Sequence, residues 1–79
     1  MSENANRVKR VVAETLKVNQ DRVTDNARFV EDLGAESIQS IELVAAFEEE
    51  FDIDMDEEDA LQVKSVGDAV KFIERQLSA

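Results

Sequence analysis

Apolar side chains recur at helical spacing along most of the chain. Val8, Val11, Val12, Thr15 and Leu16 fall at i, i+3, i+4, i+7 and i+8, while Arg7, Lys9, Arg10 and Glu14 fall largely elsewhere on the wheel. That pattern predicts an amphipathic helix over residues 4–16. Residues 17–36 then mix turn formers (Asn19, Asp25, Asn26, Gly34) with spaced apolar residues (Val18, Val23, Phe29, Val30, Leu33). A connection this long is uncommon in a small domain and is usually functional. Its apolar residues imply that it is pinned to a core, with a short helical turn near 29–33. Gly34 interrupts what precedes it, and Ser37 is of a type favoured at helix N-termini, so a second helix is expected over Ser37–Phe51. A short third helix is expected over Glu57–Gln62. A last helix is expected over 65–77, opened by Ser65 and Asp68 as a variant capping box. Its buried stripe is expected to be Val66, Ala69, Val70, Ile73 and Leu77. The chain has no Pro, and no segment alternates as a strand does. The expected fold is all-α, a four-helix bundle of three main helices and one short one, with a long loop between the first and second helices. Residues 1–79 are expected to form a single domain.

The second helix carries more apolar residues than one buried face needs. At 3.6 residues per turn, Leu43, Val44, Phe47 and Phe51 cluster on one side and are assigned to the core. Ile38, Ile41 and Ala45 fall on another side, beside Glu42 and Glu49 and flanked by Glu48. Periodicity alone leaves two readings of that second stripe. It is either an exposed apolar strip rimmed with acids, suited to a basic grooved partner, or a surface packed under the long loop or the short helix.

Charge sharpens the first reading. The chain has 19 acids against 9 bases, a net charge of −10. Thirteen of the acids lie between residues 29 and 63, a stretch with no Lys or Arg. Such a surface repels nucleic acid and anionic membranes and complements basic protein surfaces. Composition also limits how the fold is held. Without Cys or His, neither disulfides nor the usual metal staples are available, so an apolar core must suffice; a hydrophobic content of 43% makes that feasible. The absence of Cys fits a reducing compartment, and no apolar run near the polar N-terminus reads as a signal peptide or membrane span. A cytoplasmic monomer is expected.

Little in the chain supports catalysis. Ser37 has no His to activate it, no Cys offers an alternative nucleophile, and no Gly-rich phosphate loop is present. Asp52, Asp54 and Asp56 match the first ligand positions of an EF-hand loop. Glu57 stands where the sharp turn wants Gly, however, and Val63 where the bidentate ligand wants Glu, so no specific metal site is expected.

The most informative stretch is Phe29-Val30-Glu31-Asp32-Leu33-Gly34-Ala35-Glu36-Ser37-Ile38, followed by Ile41-Glu42-Leu43 and Glu48-Glu49-Glu50-Phe51. It resembles the acyl carrier protein family, whose hallmark is Asp-Ser-Leu after Leu-Gly-Ala or Leu-Gly-Gly at the opening of an acidic second helix. The resemblance spans nearly the whole chain. It implies a non-enzymatic carrier whose motif serine, here Ser37, receives phosphopantetheine from coenzyme A through a phosphopantetheinyl transferase. The arm's thiol then holds acyl groups as thioesters and presents them to acyl-processing enzymes with basic docking surfaces. Carried over residue by residue, Glu36, Ile38, Ile41, Glu42, Glu48 and Glu49 match positions that meet partners. Four positions depart from the pattern: Glu36 replaces Asp, Ile38 replaces Leu, Gln39 replaces an acid and Asp56 stands where many members have Pro. They hint at a specialised carrier. Fatty-acid or related specialised acyl synthesis is the first reading; polyketide or peptidyl/aminoacyl carriage and, from a different class, a cofactor-free acidic helical adaptor are the alternatives. A helix-opening serine suits the first three, since unpaired N–H groups and the positive end of the dipole favour a phosphate there. Apolar cargo is expected to shelter between helices.

Overall fold

The computed structural model describes residues 3–78. Four helices follow in chain order: α1 over Glu3–Leu16, α2 over Ser37–Phe51, α3 over Glu57–Gln62 and α4 over Val66–Ser78. Among the described residues there is no strand, only one antiparallel bridge between Arg28 and Ser65. The helix pattern expected from the sequence is therefore present, with ends shifted by at most one residue.

α1 packs against both α2 and α4. Its buried residues are Ala5, Val8, Val11, Val12, Ala13 and Leu16, the anticipated stripe with two alanines added, while Thr15, expected on that face, is only half-buried. Phe47, Ile73, Val8, Val12 and Val66 are the largest fully buried side chains and form the centre of the core. Two assignments shift. Leu77 was expected in the buried stripe of α4 but is 45% exposed, one turn beyond Ile73. Val44 and Val70 are half-buried and pack against the rim of the core.

α1 and α2 are each followed by a residue of left-handed conformation. Lys17 (φ 57°) follows α1 and Asp52 (φ 54°) follows α2. In each case the next N–H reaches back five residues, Val18 to the Ala13 carbonyl at 3.1 Å and Ile53 to the Glu48 carbonyl at 3.2 Å. This closure satisfies carbonyls that the helix end leaves open.

The long connection is tied down as its apolar residues implied. Val23, Ala27, Phe29, Leu33 and Ala35 are buried. Three backbone bonds fasten it to the start of α4: Phe29 N–H to Lys64 O at 3.1 Å, Val66 N–H to Ala27 O at 2.9 Å and Gly67 N–H to Asp25 O at 2.9 Å. Gly67 permits that approach, since a Cβ there would stand 3.0 Å from the Asp25 carbonyl oxygen. A 3-10 turn at Gln20–Arg22, absent from the sequence reading, starts from Asn19, whose side chain accepts from Asp21 N–H at 3.0 Å. The expected turn at 29–33 forms, with N–H groups of Asp32 and Leu33 both donating to Arg28 O at 3.0 Å. Phe29 and Leu33 share its inner side, whereas Val30, expected to help pin the loop, is turned outward and 63% exposed.

Candidate functional site

The approach to α2 is shaped by one residue that must be left-handed. Gly34 adopts φ +70°, a region that costs any residue with a Cβ, although there is open space around it. Gly34 N–H donates to Val30 O at 3.2 Å and Ala35 N–H to Phe29 O at 2.8 Å, which turns the chain from the pinned loop into the helix. Glu36 then takes an extended conformation (φ −90°, ψ 168°) and is the N-cap of α2. Its N–H donates to Gln39 Oε1 at 2.9 Å, the return half of a capping box.

This arrangement gives the cap of α2 to Glu36 and not to Ser37. Ser37 is the first helical residue, it is exposed, and its hydroxyl makes no hydrogen bond among the described residues. Glu36 wins the capping position because Gln39, three residues on, is long enough to reach back to its N–H. The role of Gln39 was missed in the sequence, where it registered only as a lost acid. The available signal was its spacing from Glu36.

The second stripe of α2 is open to solvent. Ile38 is 67% and Ile41 71% exposed, and Ala45 is also exposed. The alternative, burial beneath the loop or α3, does not occur. Glu36, Glu42 and Glu49 are exposed and form no ion pair among the described residues. Leu61 of α3, 70% exposed, was not foreseen as part of any face. Its signal was its isolation, since both residues a turn before it are acids. Glu48 differs from its neighbours. It is half-buried, and its Oε2 accepts from Met55 N–H at 3.0 Å.

Glu50 belongs to the other side of the helix. Its Oε2 accepts from Arg7 Nε at 2.9 Å and from Arg10 Nη2 at 3.0 Å, while its carbonyl accepts from Arg7 Nη2 at 2.7 Å. The Arg7 guanidinium also lies 4.4 Å from the centre of the Phe51 ring. The hydrogen bond from Arg7 holds the Glu50 carboxyl below its ordinary value; partial desolvation opposes this and the charge of Arg10 adds to it. This cluster staples α1 to the end of α2.

A cleft of about 350 Å³ lies between α3 and α4, with Val63 and Phe72 as its apolar lining and Asp59, Gln62, Lys71 and Arg75 among its polar residues. None of its lining residues belongs to α2, so it is separate from the Ser37 end of that helix.

A family model described as a phosphopantetheine attachment site matches residues 6–73. The chain belongs to that family of carriers. The carrier is thus a non-catalytic protein whose family bears a covalent phosphopantetheine and works with phosphopantetheinyl transferases and acyl-processing enzymes. The residues present suit such a group. An exposed hydroxyl opens a 15-residue helix whose first-turn N–H groups lack intrahelical acceptors, and no acid lies within that first turn. The carrier has no Cys, so a thiol must be supplied by the group itself. Among the described residues, no helix of the carrier is long and apolar enough to cross a membrane.

Proposed function

We propose that Ser37 is the residue that carries phosphopantetheine, and that the chain presents acyl groups to enzymes of fatty-acid or related specialised acyl synthesis. The observation that carries this reading is the exposed Ser37 at the first position of α2, free of capping duty, within the span matched by the family. When bound, the group supplies a terminal thiol that holds acyl cargo as a thioester. The chain's own residues do the rest. Gly34 and Glu36 deliver Ser37 to the surface, and the helix N-terminus favours the phosphodiester charge beside it. Ile38, Ile41, Glu42 and Glu49 form the docking face and, with Glu36 at its edge, attract transferases and acyl-processing enzymes with basic surfaces, while Glu48 borders that face. A cytoplasmic monomer is the setting this reading assumes.

Glu36, Ile38 and Gln39 support a specialised carrier, so a polyketide or aminoacyl cargo stands as the second reading. Family membership removes the ground for a cofactor-free adaptor. The test is the intact mass of wild type and Ser37→Ala after incubation with coenzyme A and a broad-specificity transferase. Wild type should gain one phosphopantetheine and the variant none. An arm on both proteins, or on neither across several transferases, would refute the assignment.

A further inference from the structure

We infer that Glu48 is a positioning residue: it fixes the α2–α3 connection and with it α3, and contributes to docking through that placement and not through its charge. The effect on docking rests on the proposed partner face; the placement itself does not.

Three observations carry the inference. First, of the acids Glu42, Glu48 and Glu49 beside the exposed stripe, Glu48 alone has a carboxylate partner among the described residues, the Met55 N–H at 3.0 Å, seven residues on. Among the described residues, Glu42 and Glu49 make no ion pair, and both lie open to solvent. Second, the Glu48 backbone serves the same turn as its side chain. Its carbonyl accepts from Asp52 N–H and from Ile53 N–H, the latter at 3.2 Å, around the left-handed Asp52. One residue therefore fixes both the end of α2 and the strand of chain that leads to α3. Third, α3 has little else to hold it. None of its residues with described side chains is buried, and Leu61 is 70% exposed. Its anchors are the flanking Met55, which is buried, and Val63, which is partly packed, with Lys64 O accepting from Phe29 N–H at 3.1 Å on the far side. Loss of the bond at Met55 would release the nearer anchor, and the apolar surface of Leu61 would lose its fixed place.

A direct charge contact and a positioning role make opposite forecasts for the conservative variant. Glu48→Gln removes the charge but keeps an oxygen that can accept from Met55 N–H. Glu48→Ala removes both. Amide hydrogen exchange on the free chain, followed residue by residue, reads the placement. Exchange at Met55 should rise about tenfold in the Ala variant, the loss of one hydrogen bond of about 1.4 kcal/mol, while protection at Phe47 and Ile73 in the core stays unchanged. The Gln variant should keep most of the protection at Met55. Transferase kinetics read the docking. KM should rise several-fold for Ala with kcat unchanged, and Gln should restore it toward the wild-type value. Unchanged exchange at Met55 in the Ala variant overturns the placement. An equal rise in KM for Gln and Ala overturns the indirect role and makes Glu48 a charge contact. Wild-type chain that takes no arm at all counts against Ser37 instead, and leaves the exchange result to decide on Glu48.

Discussion

Replacing Ser37 by Ala in the chain without its arm should leave stability unchanged or raise it slightly. If Ser37 were the N-cap, its truncation would cost about 0.5–2 kcal/mol. The structure gives that position to Glu36, and the Glu36 N–H is held by Gln39 Oε1 at 2.9 Å. The Ser37 side chain is exposed, so little burial is lost, and its hydroxyl has no partner among the described residues to be deprived of. What remains is helix propensity, which favours Ala over Ser by up to about 0.5 kcal/mol. For a domain of this size that corresponds to a rise in Tm of about 0–4 °C. Thermal and urea unfolding followed by helical circular dichroism would measure it. Gln39→Ala serves as the comparison and should lose about 0.5–1 kcal/mol, because the Glu36 N–H loses its acceptor. A loss above about 1 kcal/mol in Ser37→Ala would refute the reasoning, since only a capping hydroxyl costs that much at an exposed position. The result bears on function as well. A serine that contributes nothing to the fold can be modified without disturbing the helix it opens.

Two further outcomes follow from the core and the staple. Phe47→Ala should cost about 3–5 kcal/mol, a large share of what a small domain possesses, and should leave much of the chain unfolded in denaturant titrations begun from water; a loss under about 1 kcal/mol would mean that Phe47 is not central to the core. Glu50 is held below its ordinary value by Arg7, so its contribution is present above that ordinary value and is lost as pH falls through the lowered one. The difference in Tm between wild type and Glu50→Gln should therefore shrink on acidification through the carboxylate range, and a difference independent of pH would show that Arg7 and Arg10 do not depend on that charge.

Most of the helical pattern was legible because burial and helical period coincide. α1, α2 and α4 each bury a stripe that the apolar spacing marks out. Where the reading failed, the cause was geometry that periodicity does not encode. Leu77 continues the stripe of α4 in sequence, but spacing names a face and does not say where the core beneath it ends. Val30 sits among apolar loop residues, yet one helical turn at 29–33 places Phe29 and Leu33 inward together and rotates Val30 away. Ser37 and Glu36 are both compatible with a helix start. The choice between them depended on the reach of Gln39, which the sequence shows only as Glu36 and Gln39 three apart. The second stripe of α2 was ambiguous for a related reason. Ile38, Ile41 and Ala45 have the same composition whether covered or open, and only the position of the loop and α3 decides between them.

The distribution of bases explains how so acidic a chain keeps the acids of the proposed docking face available. Among the described residues, four of the nine bases form ion pairs, each with an acid outside the exposed stripe: Arg7 and Arg10 with Glu50, Arg10 also with Glu14, Lys9 with Asp25 and Arg28 with Glu31. These pairs staple α1 to α2 and hold the long loop, where neutralising acids reduces self-repulsion in the compact state. Among the described residues, Glu36, Glu42 and Glu49 receive no base, and Ile38 and Ile41 stay exposed. A basic partner approaching this face therefore has no internal ion pair to break, and its own charges meet a field that the rest of the molecule does not offset. Such a surface suits fast, salt-sensitive and reversible encounters, as a carrier that must visit several enzymes in turn requires.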